Sequence, residues 1–566
     1  MKRVLLLFIL IIFSSTFYAQ TPAKYWVQFK DKEGTSYSVK HPEEFLSPRA
    51  IEKRQRFNIP ITEQDLPVSD RYVQQLLAID PQMILLTKSK WLNGVTVYTT
   101  TENIADKIRK LEFVTLCECT AQMSAEESFD YPINPYTPPT QPKEVIEMPR
   151  EGTDFEYGYA GWQIGANRAQ WLHRLGAHGE GMLMVVMDVG FQNTHKMPAF
   201  NALRDEGRLL GTRNFVQPGR SVFISGSHGT EVLSCIAAYL PDEIVGTAPK
   251  ASFYLAKTED SRSENKIEED NWVAGLEWAD SLGCDVLSSS LGYHKFDNKN
   301  QSYTYEDMNG HVSRATQAAA MAASRGIIVC VSAGNEGDEE WKYITSPADA
   351  DSILTVGAIG RDHQIADFSS YGPTYDGRVK PDGLAIGAQA IVVTPSDKVD
   401  ASYGTSFSAP IFAGMVTCLW QLFPDKTPME VIDAVQRAGG YYSNPDRHYG
   451  YGVTNFVNAY NHLARSYDAS VLLGFDATCN SSQCYGIYFA RLGASSFKVR
   501  VTIDGTNYQS EQVIPVKGKT QGDFVVNKFK IKLPKCKKGE YYAIARVQII
   551  CPEGITYEQV IGLLPK

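Results

Sequence analysis

Ala401-Ser402-Tyr403-Gly404-Thr405-Ser406-Phe407-Ser408-Ala409-Pro410 leads directly into the apolar run IFAGMVTCLWQLF, residues 411–423. A glycine turn, a pair of hydroxyl residues and a long apolar segment predict a helix that starts at this serine cluster. A serine in that position can aim its hydroxyl into a cleft, where the unpaired N–H groups and positive dipole end of the helix favour developing negative charge. Capping serines are the commoner occupants of such sites. The rest of the chain decides between the two readings.

From Gly161 to about Ala464, apolar strands alternate with helical segments, which predicts a doubly wound, mostly parallel sheet with helices on both faces. The expected strands are Met182–Met187, Ser252–Ala256, Asp285–Ser289, Ile327–Val331 and Ile353–Val356, each short and bounded by glycine or polar residues. Upstream, residues 20–120 mix strand-like and helix-like stretches from Tyr25–Phe29 to the amphipathic Glu102–Leu111, a small α+β module. Residues 121–155 carry Pro132, Pro135, Pro138, Pro139, Pro142 and Pro149 among acidic and polar residues and read as an exposed linker. Downstream of the main unit (156–467), residues 468–566 are β-rich, with turns at Asp504-Gly505, Lys517-Gly518 and Lys538-Gly539, and read as a β-sandwich-like domain.

Residues 1–19 start with Lys2 and Arg3, run through VLLLFILIIF and end in small residues up to Ala19, the pattern of a cleaved secretory signal. The expected location is therefore outside the cell or on its surface. No later segment approaches about 20 uninterrupted apolar residues, so no transmembrane segment is expected after the signal. The net charge of −9 offers no basic face and argues against nucleic acid as a partner. Cys235, Cys284, Cys330 and Cys418 lie in apolar runs and are expected to be buried free thiols. Cys479, Cys484, Cys536 and Cys551 permit three disulfide connectivities.

Three further segments bear on the chemistry. Asp188 ends the apolar strand MLMVVM, at the carboxyl edge of a parallel sheet, where such folds carry their sites. His228 sits between a glycine-bearing loop and the helix VLSCIAAYL, and an imidazole there can accept and return a proton near neutral pH. Asn335, in Ser332-Ala333-Gly334-Asn335-Glu336-Gly337, follows the strand IIVCV and can donate its amide to an oxyanion. An acid, a base, an amide donor and a serine in this order meet the requirements of acyl transfer. The α/β-hydrolase order is excluded, because it needs GxSxG and Ser408 stands at the second glycine. A metal motif at His228 and Glu231 fails because Val232 occupies the second histidine position. A phosphate loop at Gly518-Lys519-Thr520 fails because its first glycine would be Val513.

Residues 161–464 resemble the catalytic domain of subtilisin-like (subtilase) serine peptidases. The resemblance is carried by VVMDVGF, SHGTEV, GTAPKASFYLAK, SSSLG, SAGNEG and YGTSFSAP. It implies a triad of Asp188, His228 and Ser406, with Asn335 as oxyanion donor. It also implies that Ser290-Leu291-Gly292 and Ser332-Ala333-Gly334 are edges pairing with an extended peptide, and that Ile344, Thr345 and Ser346 lie near the base of the main specificity pocket. Val189, Glu231 and Phe407 depart from the family's usual Ser or Thr, His and Met, without removing a catalytic group.

The 20–120 module resembles the ferredoxin-like inhibitory prodomain of these enzymes. The expectation is thus a secreted endopeptidase zymogen acting on proteins or peptides, held by its own prodomain and matured by a cut within 121–155. No cofactor is required for this chemistry. Structural calcium is common in the family, but no convincing set of oxygen ligands is evident here. Two rivals remain at this stage. One is a catalytically silent scaffold that binds a surface; in the other, the β-rich tail is the functional part.

Overall fold

The computed structural model describes residues 22–122, 155–464, 472–479, 483–491, 496–503, 507–515, 519–521, 524–533, 543–550 and 556–563. The expected signal, nearly all of the linker and the pairing of the C-terminal cysteines lie outside these residues.

The N-terminal module is built as β1 (Ala23–Phe29), α1 (Pro48–Arg56), α2 (Asp70–Leu77), β2 (Ile84–Ser89), β3 (Gly94–Thr99), α3 (Ile104–Ile108) and β4 (Val114–Gln122). Ser47 and Ser69 start α1 and α2 by accepting from Ala50 N and Tyr72 N, the usual way to satisfy a helix's first orphan donors. The sheet runs β2-β3-β1-β4, with all pairs antiparallel. That order is the ferredoxin-like one. β4 continues two residues beyond the boundary expected from sequence.

The main domain is a seven-stranded parallel sheet. Its strands are β5 (Leu183–Asp188), β6 (Leu209–Asn214), β7 (Ser252–Lys257), β8 (Val286–Ser289), β9 (Ile328–Ser332), β10 (Leu354–Ile359) and β11 (Gly383–Ile386). They lie in the order β11-β10-β9-β8-β5-β7-β6. The two outermost strands are not evident in the sequence, because LLGTRN is half polar and GLAI is four residues opening on a glycine.

Both faces of the sheet are covered, as parallel strands require. Along β5, Met184 and Val186 pack into one apolar layer with α4 (Ser227–Ala237) and α7 (Thr405–Gln421). Val185 and Met187 face the other layer, with α5 (Ile267–Leu282) and α6 (Arg314–Ala322). Helix α7 is buried from Thr405 to Trp420. This explains why its sequence is apolar on every side. Cys235, Cys284, Cys330 and Cys418 are buried and free.

The N-terminal module docks on α5 and α6. Trp26 and Trp91 enter the same apolar cluster as Trp272, Val273 and Ala318. Around them lies a belt of charge. Arg54 binds Asp280 at 2.9 Å and Asp65 at 3.1 Å, all three side chains being at most 2% exposed. Lys90 Nζ is 2.7 Å from the other oxygen of Asp280. Glu277 accepts from Ser89 Oγ, Lys90 N and Trp91 N. Arg314 links Asp270 on α5 to Glu118 on β4, at 2.6 and 2.7 Å.

The C-terminal region forms two four-stranded antiparallel sheets. In Ser496–Ile503 the residues Phe497, Val499, Val501 and Ile503 are buried and alternate with more open positions. This is the period of a strand with one face inward. Among the described residues, no helix is long and apolar enough to cross a membrane.

Candidate active site

Asp188 is the last residue of β5 and is fully buried. Its Oδ1 accepts from the backbone N–H of Val189 at 2.7 Å, which fixes the carboxylate at the sheet edge. His228 is the second residue of α4. The helix can approach β5 so closely only because residue 229 is glycine. A Cβ there would lie 2.2 Å from Gly190 O and 2.9 Å from Asp188 Cβ.

His228 Nδ1 stands 2.9 and 3.0 Å from the two oxygens of Asp188. An ionised carboxylate only accepts hydrogen bonds, so Nδ1 carries the proton and the Nε2 lone pair is left as the base. Burial alone would lower the imidazole's pKa. The Asp188 charge and hydrogen bond, with the charge of Glu231 one helical turn on, outweigh it and hold the pKa above the ordinary histidine value. Glu231 is fixed by Ser402 Oγ, which donates to its Oε2 at 3.3 Å. Burial raises the Glu231 carboxyl's own pKa.

Ser406 is the second residue of α7 and is 9% exposed. Its carbonyl accepts from Ser290 Oγ at 2.7 Å, tying the helix start to the end of β8. The ring of Phe407 lies 5.8 Å from the His228 ring. Among the described residues no hydrogen bond joins Ser406 Oγ to His228 Nε2. In free enzymes such contacts commonly tighten only when substrate binds.

Asn335 Oδ1 accepts from Thr405 N at 2.8 Å and lies 3.0 Å from Thr405 Oγ1. The main-chain donor on Oδ1, with the Thr405 hydroxyl shared between Oδ1 and Gly334 O, orients the amide so that Nδ2 faces away from them. Residue 404 has φ 146° and no side chain. The position its Cβ would take is 3.6 Å from both Asn335 Nδ2 and Ser406 N. Asn335 Nδ2 and Ser406 N thus lie close together at the start of α7, with Asn335 Oδ1 also 3.7 Å from that point, where the positive end of the helix favours negative charge.

The two expected substrate edges differ. Ser290, Leu291 and Gly292 leave β8 beside His228, and all four line a cavity of about 490 Å³. The main chain of 332–334 is instead committed internally. Ala333 N donates to Val356 O, Ala333 O accepts from Thr345 N, and Gly334 O accepts from Ser370 N. That segment is held against its neighbours by these bonds. Ile344 and Thr345 are buried behind it, and Thr345 Oγ1 comes within 2.2 Å of where a Cβ on Gly292 would sit.

Sequence reasoning did not assign Thr405 its role in orienting Asn335, although it lies inside the quoted motif. Nor did it single out Glu259, Glu264 and Glu268, whose spacing looks like an ordinary charged loop and helix start.

A profile of the subtilase family matches residues 179–452, and a profile of the peptidase S8 propeptide domain of Bacteroidota matches residues 24–131. Serine protease AprX of Bacillus subtilis (strain 168) is 28% identical over 313 residues, 50% of this chain and 66% of that protein. Subtilisin NAT of Bacillus subtilis subsp. natto is 30% identical over 292 residues, 51% of this chain and 68% of that protein. Subtilisin of Bacillus pumilus is 30% identical over 292 residues, 51% of this chain and 94% of that protein. The chain belongs to the subtilase family. The subtilase's N-terminal module, docked on α5 and α6, is its propeptide domain. Of the departures from the family pattern, Glu231 has an electrostatic consequence, since its charge contributes to the raised pKa of His228.

Proposed function

We propose that this subtilase is a secreted serine endopeptidase, made as a zymogen, that hydrolyses peptide bonds through an acyl-enzyme on Ser406. The observation that carries the reading is the Asp188–His228 contact together with two N–H donors, Asn335 Nδ2 and Ser406 N, lying close together at the start of α7.

In this mechanism Ser406 Oγ attacks the scissile carbonyl carbon while His228 Nε2 takes its proton, and Asp188 stabilises the imidazolium that results. Negative charge on the former carbonyl oxygen is met by the two N–H donors. Collapse of the tetrahedral species breaks the C–N bond, and His228 returns the proton to the leaving amine. Water, deprotonated by the same imidazole, then releases the acyl group from Ser406. The free main chain at Leu291 and Gly292 offers an edge for an extended peptide. The steps use side chains and main chain alone, and no cofactor enters them. The propeptide domain blocks the enzyme until a cut between β4 and Phe155 releases it.

The test is intact-mass and N-terminal analysis of the purified protein beside its Ser406→Ala form. The expected result is a wild type shortened to a start near 123–155 and a mutant that retains the propeptide. Retention of the propeptide by both proteins would contradict self-maturation by Ser406.

A further inference from the structure

The net charge of −9 conceals a division. Residues 468–566 carry 13 lysines and arginines against 8 aspartates and glutamates, whereas residues 1–467 carry 42 against 56. The C-terminal region is thus a cation on an anionic chain. Its charge is also gathered in one place: Lys528, Lys530, Lys532, Lys535, Lys537 and Lys538 fall within a stretch that contains no acid.

The first three of these lysines lie on the strand Phe524–Lys532, which pairs with Gln483–Arg491 on one side and Lys519–Gln521 on the other. They are exposed and alternate with Phe529, Ile531 and Leu533, each only 4% exposed. The alternation sets the lysines in a row on the outer face of the sheet, with about 7 Å between neighbours. The register places Lys528, Lys530 and Lys532 opposite Ile487, Tyr485 and Gln483. Neither flanking strand contains an aspartate or a glutamate, so neither sets a carboxylate beside the row. Among the described residues no carboxylate pairs with any of the three ammonium groups.

The other C-terminal sheet treats its cations differently. Lys498 and Arg500, also two positions apart on one strand, both bind Glu511 on the adjoining strand, at 3.3 and 2.9 Å. Like charges left side by side repel and weaken the strand that carries them. A region that neutralises one pair of cations and leaves three others in an open row is matched to an anion from outside the chain.

The arrangement selects among anions. A row of evenly spaced cations suits a linear polyanion better than a single small anion. A bilayer fits less well, because the outward positions of residues 528–532 are all lysine, with no apolar side chain to enter the lipid. The expected secretory signal directs the chain outside the cell, where acidic polysaccharides are abundant linear polyanions.

We propose that the outer face carrying Lys528, Lys530 and Lys532 is a docking site for an acidic polysaccharide, a linear glycan bearing carboxylate or sulfate groups. It holds the protein on such a polymer through charge-assisted contacts that weaken as salt screens them. The inference does not depend on the peptidase reading, since the face uses none of the residues of the candidate active site.

The experiment measures binding of the full-length Ser406→Ala protein to immobilised polygalacturonate and heparin, with neutral dextran, a DNA duplex and phosphatidylglycerol-containing vesicles as the other arms. At about 0.15 M salt the protein should bind at least one acidic glycan and not dextran, with log Kd rising linearly in log salt. Lys528→Gln, Lys530→Gln and Lys532→Gln combined should weaken that binding about tenfold or more. Lys295→Gln, Lys299→Gln and Lys398→Gln combined, at three exposed lysines of the main domain, change the net charge equally and should leave Kd within twofold. Because the first variant removes repelling charges, its melting temperature should stay level or rise, which separates lost binding from lost folding; a fall would overturn the claim that the row is uncompensated. Equal weakening by the two triple variants would overturn the proposal. So would failure to bind either glycan, unaltered binding by the first variant, or tighter binding to the duplex or the vesicles than to either glycan.

Discussion

Asp280→Asn should release the propeptide's hold on the enzyme. The side chain is 1% exposed and takes both propeptide cations, Arg54 on Oδ1 at 2.9 Å and Lys90 on Oδ2 at 2.7 Å. Burial works against the ionised form, yet Lys90 and Arg54 more than reverse this and hold the carboxyl at about 2, against 3.8 for a free aspartate. A difference of that size corresponds to about 2 kcal/mol of favourable interaction. The substitution keeps the volume but leaves one neutral amide oxygen where two carboxylate oxygens stood, so at most one of Arg54 and Lys90 keeps an acceptor there and neither keeps the anion. Removing one partner of a buried ion pair costs about 3–5 kcal/mol in all. The inhibition constant of separately produced propeptide for the processed enzyme should therefore rise by roughly 10²- to nearly 10⁴-fold at neutral pH. Because the Asp280 pKa is depressed, its contribution is complete above the ordinary aspartate range. It disappears as pH falls through about 2. An inhibition constant within twofold of wild type would refute the claim that this network holds the propeptide.

The rising limb of kcat/KM against pH should have its midpoint above the ordinary histidine value. His228 works as a base only when deprotonated, and its pKa is raised by Asp188 and Glu231. Glu231→Gln should move that limb to lower pH, and an unmoved limb would show that the Glu231 charge is not felt at the base. Gly229→Ala should cost about 10²-fold in kcat/KM, since a Cβ 2.2 Å from Gly190 O must push α4 away from Asp188; unchanged kinetics would refute the close-approach argument. Asn335→Ala should lower kcat by about 10²–10³, a range borrowed from the oxyanion-hole asparagine of a subtilisin, with KM little changed. Thr405→Val removes the hydroxyl contact but keeps the main-chain donor to Asn335, so its loss, read in the same assay, should be smaller.

The segments that carry chemistry were legible because each sits where an apolar run stops: Asp188 after MLMVVM, Asn335 after IIVCV and Ser406 before IFAGMV. A polar side chain at such a junction lies at a sheet edge or helix start whatever the tertiary detail. The central strands were legible for the same reason. The outer strands were not, since LLGTRN is half polar and GLAI is only four residues opening on a glycine.

Long-range electrostatics left no local signal. Arg54 and Asp280 are 226 positions apart, and each alone looks like a solvated charge on a helix. Glu259, Glu264 and Glu268 likewise read as a charged loop until the fold encloses them beside His228. The segment 332–334 reads as an open edge in the sequence, which cannot show that Val356, Thr345 and Ser370 already occupy its main chain.

The most direct test of the central claim is covalent labelling with a fluorophosphonate, read by mass spectrometry of the tryptic peptides. The account predicts stoichiometric modification of Ser406 in the processed wild type, none in Ser406→Ala and much slower labelling in His228→Ala. An unlabelled Ser406 in folded, processed wild type, or labelling that persists at full rate without His228, would contradict it.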